Sequence, residues 1–184
     1  MPPAVASSDA DLILAVVERD DRNAFAALVH RHQSRVRSLL RRLTKGDQAG
    51  ADDLAQETFL LAWRKLPTFR FEARFSTWLY RIAFNVWRSD VRKRRDLVLD
   101  LDPDDCAQDV AVEDPDPGMK VDLERAIAQL TDGERACIVA CYYADLSHDE
   151  AAGLLGLPLG TVKTHILRGK AKLRRRLGQE EITG

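Results

Sequence analysis

One stretch, residues 75–95 (FSTWLYRIAFNVWRSDVRKRR), constrains the fold of this chain more than any other. Its apolar residues recur at the spacing of a single helix face, with polar and basic residues on the other faces. The apolar face consists of Phe75, Trp78, Leu79, Ile82, Ala83 and Val86. The spacing predicts an amphipathic helix with a strongly basic end. Basic side chains bind phosphates and aromatic rings stack on unpaired bases, so one interpretation of this helix is nucleic-acid binding. The simpler interpretation is a core helix whose basic end is solvated.

The length and composition of the chain indicate a globular protein. With 184 residues it can bury one sizeable core or two small ones. No apolar run approaches the roughly 20 residues that cross a bilayer. The N-terminal residues (MPPAVASSDADL) also lack the charged and then apolar layout of a signal peptide. We therefore expect a cytoplasmic protein without membrane insertion.

The charges are segregated along the chain, although the net charge is only -1. Every charged residue between Asp21 and Asp47 is basic. Residues 96–124 are acidic, with Lys120 as their only cation, and residues 151–179 contain no acid. Alternating basic, acidic and basic blocks predict two domains that face nucleic acid, separated by an acidic tether.

The first domain is predicted to hold three helices before the stretch at residues 75–95. They cover residues 11–19, residues 23–44 (capped by Asp20 or Asp21) and a segment that begins at an Asp52 cap and ends at Pro67. Residues 45–51 (KGDQAGA) are predicted to form a loop, as are residues 68–74 (TFRFEAR). Helix capping accounts for the aspartates at the start of the third helix, but it does not account for Gln56 and Glu57 beside them.

The second domain has the signals of a helix-turn-helix. Thr131 with Glu134 and Ser147 with Glu150 are capping boxes, and Gly156 is a left-handed helix end. The helix that follows is cationic. Its outward residues are predicted to be Lys163, Thr164, His165, Leu167 and Arg168. A buried helical hairpin with a basic tail is the alternative, but the two boxes, the glycine turn and the unbroken positive charge favour DNA binding.

The fold expected from these observations is all-α, with two small helical domains at residues 9–95 and 119–180. A flexible acidic linker at residues 96–118 joins them, since that segment is proline-containing and lacks a helical period. The three cysteines are expected to be core thiols rather than disulfides or metal ligands. No motif unites the four histidines with catalytic or metal-binding partners. We therefore expect neither enzymatic activity nor a cofactor.

Three motifs together resemble the bacterial RNA polymerase sigma factors of the extracytoplasmic-function (ECF) group in the sigma-70 family. DDLAQETFLLAWRKLPTFR resembles the group's clamp-binding helix, and FSTWLYRIAFNVWRSDVRKRR resembles its promoter-melting helix. LSHDEAAGLLGLPLGTVKTHILRGKAKLRRRL resembles its C-terminal helix-turn-helix. The resemblance covers nearly the whole chain, and it implies promoter recognition and melting by a dissociable subunit of core RNA polymerase.

The resemblance also implies roles for particular residues. The residues that would bind the clamp coiled coil of the polymerase are Asp53, Leu54, Gln56 and Glu57. The loop at residues 69–76 would hold a base flipped from the minus-ten element of promoter DNA, and the helix-turn-helix would meet the minus-thirty-five element. The candidate DNA-binding residues are Phe69, Arg70, Phe71, Glu72, Arg74, Ser76, Arg81, Asn85, Arg88, Lys163, Thr164, His165, Leu167, Arg168 and Lys172. An anti-sigma factor is a further partner that the group suggests.

Two alternative functions remain open at this point. A helix-turn-helix regulator that never acts as a polymerase subunit would share the second domain, but it would not need the patch at residues 53–57. An adaptor that binds proteins through its amphipathic helices would carry basic faces only for solvation. Association with core polymerase separates the first alternative from a sigma factor, and specific initiation separates the second.

Overall fold

The computed structural model describes residues 8–99 and 119–179, and in these residues the chain is all-α, as predicted. The helices before the tether are α1 (Asp9–Arg19), α2 (Arg22–Leu43), α3 (Gln48–Lys65) and α4 (Phe75–Leu99). Those after it are α5 (Met119–Ala128), α6 (Asp132–Ile138), α7 (His148–Leu155) and α8 (Leu159–Gln179). A 3-10 turn, Leu66–Thr68, follows α3, and a π-helical turn, Val139–Tyr143, follows α6. The predicted tether begins inside α4, and its residues 100–118 lie outside the described ranges.

Polar side chains fix the starts of the first two helices. Ser8 and Asp11 form a capping box at α1, a signal that was not predicted from the sequence. Asp21 caps α2, since its carboxylate accepts hydrogen bonds from the backbone N–H groups of Asn23 and Ala24 at 2.9 and 3.1 Å. The other predicted cap, Asp20, ends α1 in a left-handed conformation with φ of 50°. The residue that ends α1, Asp20, is therefore followed directly by the residue that caps α2, Asp21, and the connection between the two helices is short.

The start of α3 differs from the prediction. The helix begins at Gln48 rather than after Asp52, so most of the predicted loop at residues 45–51 is helical. The cap is Asp47, whose carboxylate accepts the N–H of Gly50 at 3.0 Å. A Cβ on Gly50 would lie 2.4 Å from an Asp47 oxygen, so a larger residue there would require the Asp47 side chain to shift. Asp52 is exposed inside the helix and pairs with Arg37 at 3.0 Å.

The apolar stripes predicted for α2, α3 and α4 meet in the core of the N-terminal domain. Val36, Leu39 and Leu40 from α2 are completely buried, as are Ala62 and Leu79 from the helices packed against it. Burial of each valine or leucine side chain contributes on the order of 1.5–3 kcal/mol. The hydrophobic core therefore holds α4 by the predicted face, which directs its basic residues outward.

The C-terminal domain is built from the predicted caps. Both capping boxes are formed, at Thr131 with Glu134 and at Ser147 with Glu150. Gly156 ends α7 with φ of 66°, a left-handed conformation that glycine adopts without a steric penalty. The first residues of α8 follow at once, with Val162 fully buried below them. The helix-turn-helix geometry predicted from these signals is confirmed.

The two domains pack against each other in the described part of the chain. The second half of α2 contacts α5, α6 and the π-helical turn, while α4 contacts α7. Buried residues from both domains form one continuous cluster. None of the described helices is long and apolar enough to cross a membrane.

Candidate functional site

A groove of about 380 Å³ runs between α2 and α3 on the surface of the N-terminal domain. Its floor is aromatic, since Phe25 and Trp63 meet edge to face with ring centroids 4.8 Å apart. Leu60 stands at the groove with 61% of its surface exposed. The remaining lining residues are Val29, Gln33, Arg37, Ala55, Gln56 and Phe59. A large exposed leucine above aromatic rings is a surface suited to a helical partner.

The predicted polymerase-binding residues divide into two groups around this groove. Gln56 lines it, and Asp53 and Glu57 are exposed on the same helix, close in angle to Leu60. Leu54, in contrast, is only 5% exposed and lies in the hydrophobic core, so it positions α3 rather than presenting a surface. Asp53 and Glu57 lie in the second and third turns of α3, not in its first turn as predicted, because the helix starts earlier than predicted.

Sequence reasoning missed the apolar half of the groove. It did not single out Leu60, Trp63 or Phe25 as a surface. A signal was available, because Leu60 and Trp63 lie on a different side of α3 from Leu54 and Thr58, which are buried. A helix with apolar residues on two faces has a second partner, either within the protein or outside it.

The loop between α3 and α4 contains a cluster of aromatic rings. Phe69 contacts Phe71, Phe75 and Trp78, with ring centroids 4.9, 5.9 and 5.3 Å apart. Phe75 is buried in the core, whereas Phe69 is only half-buried and Phe71 is 49% exposed. The loop is therefore anchored through one phenylalanine and presents the other to solvent. Its polar members Arg70, Glu72 and Arg74 are exposed, and Ser76 is half-buried at the start of α4.

The backbone of Phe71 is unusual, with φ of 57°. A bulky residue in the left-handed region costs on the order of 1–3 kcal/mol and persists only where its surroundings hold it there. The contact with Phe69 is such a restraint. The ring of Phe71 is therefore held outward beside a row of polar side chains, an arrangement suited to stacking on an unpaired base.

The candidate DNA-binding residues of α4 occupy its exposed face, but two of them have partners in the C-terminal domain. Arg81 donates to the Glu150 carboxylate at 2.8 Å, and Arg88 donates to the carbonyl of Leu154 at 3.1 Å. Asn85 lies between them and is exposed. The predicted basic face of α4 is therefore present, and α7 contacts part of it.

The outward face of α8 is a compact patch directly after the turn. Lys163, Thr164, Leu167 and Arg168 are all exposed, at positions i, i+1, i+4 and i+5 of one helix. Leu167 exposes 71% of its surface, the largest value among the exposed large apolar residues. The hydroxyl of Thr164 donates to the carbonyl of Gly160 at 2.9 Å, and its oxygen can still accept a hydrogen bond. This is the surface with which a recognition helix meets base edges.

Two predicted DNA-binding residues of α8 lie elsewhere. His165 is half-buried, and its ring lies about 2.9 Å from where a Cβ on Gly133 would be, so it packs on the start of α6. Lys172 forms an ion pair with the buried Glu134 at 2.8 Å. Both residues hold α8 against α6 in this structure, whereas the other predicted residues of α8 are exposed on its outward face.

Cysteine and histidine residues in the described ranges have structural surroundings. Cys137 is fully buried and Cys141 is half-buried. Burial, together with the neighbouring Cys141, raises the pKa of the Cys137 thiol to about 11, which keeps it protonated and unreactive. No group of three or more His, Cys, Asp or Glu residues in the described ranges could hold a metal ion. The predicted core role is confirmed for these two thiols, while Cys106 lies outside the described ranges.

Comparisons with known proteins identify the family of both domains. Sigma-70 region 2 matches residues 28–96 and Sigma-70 region 4 matches residues 120–173. The ECF RNA polymerase sigma factor SigW of Bacillus subtilis is 34% identical over 174 residues, which cover 88% of this chain and 92% of that protein. SigE of Mycolicibacterium smegmatis, also an ECF sigma factor, is 36% identical over 154 residues, covering 80% of this chain and 59% of the relative.

A solved structure extends the similarity to the arrangement of the helices. The sigma factor RpoE from Bartonella quintana, crystallised with the anti-sigma factor NepR, matches with a TM-score of 0.68 and 26% identity. The match covers 84% of this chain and 96% of that one. Sigma factors are not a class of enzymes. From both domain matches and the extent of the similarity, the chain belongs to the ECF group of the sigma-70 family of RNA polymerase sigma factors.

Proposed function

We propose that this sigma factor binds core RNA polymerase and directs promoter recognition, DNA melting and transcription initiation through three separate surfaces. They are the groove between α2 and α3, the aromatic loop before α4, and the outward patch of α8. The observation that carries the proposal is the presence of an exposed apolar groove in one domain and an exposed basic face after a helix-turn-helix in the other. A regulator that never joins polymerase would need only the second of these.

The groove is proposed to receive the clamp coiled coil of core polymerase. An amphipathic helix could place apolar residues against Leu60, Phe25 and Trp63, as in other helix-in-groove contacts. Asp53 and Glu57, exposed on the neighbouring turns, would meet basic residues at the rim. In this proposal Leu54 contributes by holding α3 in place.

The loop and α4 are proposed to open the minus-ten element. Phe71 would stack on an extruded base, and Arg70, Glu72, Arg74 and Ser76 would provide hydrogen bonds to its edge or phosphate. Asn85, with Arg81 and Arg88 once released from α7, would contact the DNA backbone along α4. Phe69 would support the loop from below, which fits its contacts with Phe75 and Trp78.

The minus-thirty-five element is proposed to meet α8 in the major groove. Lys163 and Arg168 carry donors for guanine edges or phosphates, Thr164 carries a hydroxyl, and Leu167 is an apolar contact. We expect Lys172 and His165 to act mainly by holding the recognition helix against α6, as their present contacts indicate.

The partners and setting of the protein follow from the same role. Catalysis of RNA synthesis would belong to the polymerase, and this chain would contribute binding alone. We propose the cytoplasm as its location, because the polymerase and the promoter are there. An anti-sigma factor is a proposed third partner, as one accompanies the related RpoE in its crystal structure.

The proposal for the groove is tested by Leu60→Asp. Because Leu60 is 61% exposed, its replacement should change the free energy of unfolding by no more than about 0.5 kcal/mol. A charge placed among the aromatic rings of the groove should weaken binding to core polymerase at least roughly tenfold, the effect of an interface hot spot. Binding is measured by titrating labelled protein with core enzyme.

The matched control is Leu14→Asp, the same change at an exposed leucine of α1, where 45% of the side chain is accessible. This variant should bind core polymerase like the wild type. Equal affinities for both variants and the wild type would remove the groove from the polymerase interface.

A further inference from the structure

Of the four histidines, all of which lie in the described ranges, only His32 is buried, with 6% of its surface exposed. Burial of an imidazole without a hydrogen bond is unfavourable, so its ring needs a polar partner. The partner of Nε2 is Asp9 at the start of α1, whose Oδ2 lies 2.9 Å away. The other oxygen of the same carboxylate accepts a hydrogen bond from Arg31. Asp9 therefore fixes the start of α1 to two consecutive residues of α2.

The ring of His32 also contacts Phe75, the first residue of α4. The two ring centroids are 5.2 Å apart and the ring planes meet at 73°, which is a favourable edge-to-face arrangement. Phe75 in turn contacts Phe69 at 5.9 Å, and Phe69 contacts Phe71 at 4.9 Å. A continuous row of rings therefore leads from the buried His32 to the exposed Phe71.

The loop that carries Phe71 is supported by α1 and α2 at its two ends. It begins after the 3-10 turn Leu66–Thr68, which contacts α1, and it ends at Phe75, which contacts His32 of α2. The hydrogen bond between Asp9 and His32 joins these two supports. Such support is needed because the left-handed backbone of Phe71 persists only where its surroundings hold it there.

We propose that His32 is a positioning residue for promoter melting, which holds the exposed ring of Phe71 in place through Phe75 and Phe69. Asp9 fixes the orientation of the imidazole. His32 itself touches neither DNA nor polymerase, because its ring is buried. The inference rests on the proposed role of the loop in holding an extruded base. It deepens that role by assigning the shape of the loop to a contact between α1 and α2.

Three substitutions separate the two contacts of His32. His32→Gln keeps a side-chain N–H group for Asp9 but has no ring to place against Phe75. His32→Phe keeps a ring against Phe75 but cannot form a hydrogen bond with Asp9, and His32→Ala lacks both contacts. Each variant is studied at a temperature at which circular dichroism shows that it is folded. The matched control is His30→Ala, which removes an exposed histidine from the same helix.

The position of the Phe71 ring is measured first in the full-length protein without DNA or polymerase. Trifluoromethylphenylalanine incorporated at position 71 gives one fluorine resonance, whose chemical shift reports the surroundings of that ring. His32→Ala should move the resonance toward its position in denaturant, because the ring is no longer held against Phe69. His32→Gln and His32→Phe should each cause a smaller shift, and His30→Ala should cause none.

The second measurement is the rate of open-complex formation with core polymerase. The DNA is a duplex promoter that the wild-type protein selects from a randomised library by run-off transcription. His32→Ala should slow opening roughly 3- to 30-fold, the size of coupling found between residues that share packed neighbours. In a Phe71→Ala background the same change should have no further effect, because the ring that His32 positions is absent. A core residue that acted through stability alone would slow opening by the same factor in both backgrounds.

Asp9→Ala tests the same row of contacts without a change in the core. The Asp9 side chain is 31% exposed, so its removal leaves the packing of the domain intact. The fluorine resonance should move in the same direction as in His32→Ala, though less far. Glu18→Ala, which removes an exposed acid from the other end of α1, should leave the resonance where it is in the wild type.

The proposal is overturned if folded His32→Ala leaves the fluorine resonance unchanged, or if it slows opening equally with and without the Phe71 ring. Should the His32 variants fail to fold, Asp9→Ala decides, and an unchanged resonance in that variant rejects the proposal. If Phe71→Ala opens the promoter at the wild-type rate, the role of the loop in melting is what fails. The fluorine spectra then decide by themselves whether His32 positions Phe71.

Discussion

Leu167 is the residue whose position on the outward face of α8 is least explained by folding. It exposes 71% of its surface between Lys163 and Arg168, where a polar residue would be better solvated. The apolar group that DNA offers in the major groove is the C5-methyl of thymine. At the residue scale, we therefore expect Leu167 to contact a thymine methyl in the minus-thirty-five element.

Substitution of deoxyuridine for thymidine removes that methyl and nothing else. At one position of the element it should weaken upstream DNA binding by the wild-type holoenzyme roughly fourfold, the equivalent of about 0.8 kcal/mol for one buried carbon. In Leu167→Ala the same substitution should have no effect. A uracil penalty of equal size in wild type and variant at every position would show that Leu167 reads no methyl group.

The loop residues Arg70, Glu72 and Arg74 give a second test at this scale. All three are exposed, so alanine at each should leave thermal stability nearly unchanged. At least one change should slow open-complex formation on duplex promoter DNA, because extruding a base costs a few kcal/mol that contacts must offset. The defect should shrink on a template whose minus-ten segment is already mismatched.

Arg64→Ala serves as the control for the loop, since it removes an exposed arginine near the end of α3. Its rate of promoter opening should equal that of the wild type. Wild-type rates for all three loop variants would mean that the extruded base is bound elsewhere.

The sequence could predict which residue types lie on each surface, but not the exposure of every member. Leu54 is spaced like a core residue and is one, yet the motif also suggested a polymerase contact. Lys172 looks like a DNA-binding cation until Glu134, far away in sequence, is seen beside it. The same holds for Arg81 and Glu150. Such pairs depend on the packing of helices that are distant in sequence, and the periodicity of a single helix contains no information about it.

At the scale of elements, local chemistry predicted most helix ends. Capping boxes and a left-handed glycine are signals within a few residues, and each was found where the sequence indicated. The start of α3 was wrong because Gly50 suggested a loop. The N–H of that glycine instead donates to the Asp47 carboxylate, which caps the helix. Glycine in the first turn of a capped helix and glycine in a loop cannot be distinguished from the sequence alone.

The capping box of α6 gives a prediction for pH dependence. Burial is the largest single influence on the pKa of Glu134 and raises it, but hydrogen bonds from Lys172 and Thr131 together outweigh burial and lower the pKa below its ordinary value of 4.5. A carboxyl with a depressed folded pKa stabilises the protein above the unfolded value. This stabilisation is lost as pH falls through the folded pKa.

Glu134→Gln should therefore be less stable than the wild type at neutral pH, although glutamine can still form the capping box. The difference in melting temperature should be fully present above about pH 5 and should shrink as pH falls below 4.5. Thermal unfolding followed by circular dichroism from pH 7 to pH 3 measures it. A difference that is constant over this range would contradict the assigned role of the carboxylate.

At the scale of the whole molecule, segregated charge and three ordered motifs predicted an all-α chain with a partner-binding domain and a DNA-reading domain. The packing of these domains could not be predicted. The buried aromatic residues of the second face of α4 lie among polar residues, and their spacing alone does not indicate a second buried face. Tyr80, Phe84 and Trp87 are buried in the packed chain, where α4 contacts α2, α3 and α7. The groove formed by α2 and α3 is likewise a property of two helices together.

Promoter-specific initiation with purified core RNA polymerase tests the central claim most directly. Run-off transcription from a library of randomised upstream sequences, followed by sequencing of the transcribed templates, should select two short motifs at a fixed spacing, read by α8 and by the loop before α4. Leu60→Asp should abolish the selected transcripts, whereas Leu14→Asp should retain them. If core polymerase with this protein yields no transcripts beyond those of core alone, while the protein still binds DNA, it acts as a regulator outside the polymerase, and that result would contradict the proposed initiation function.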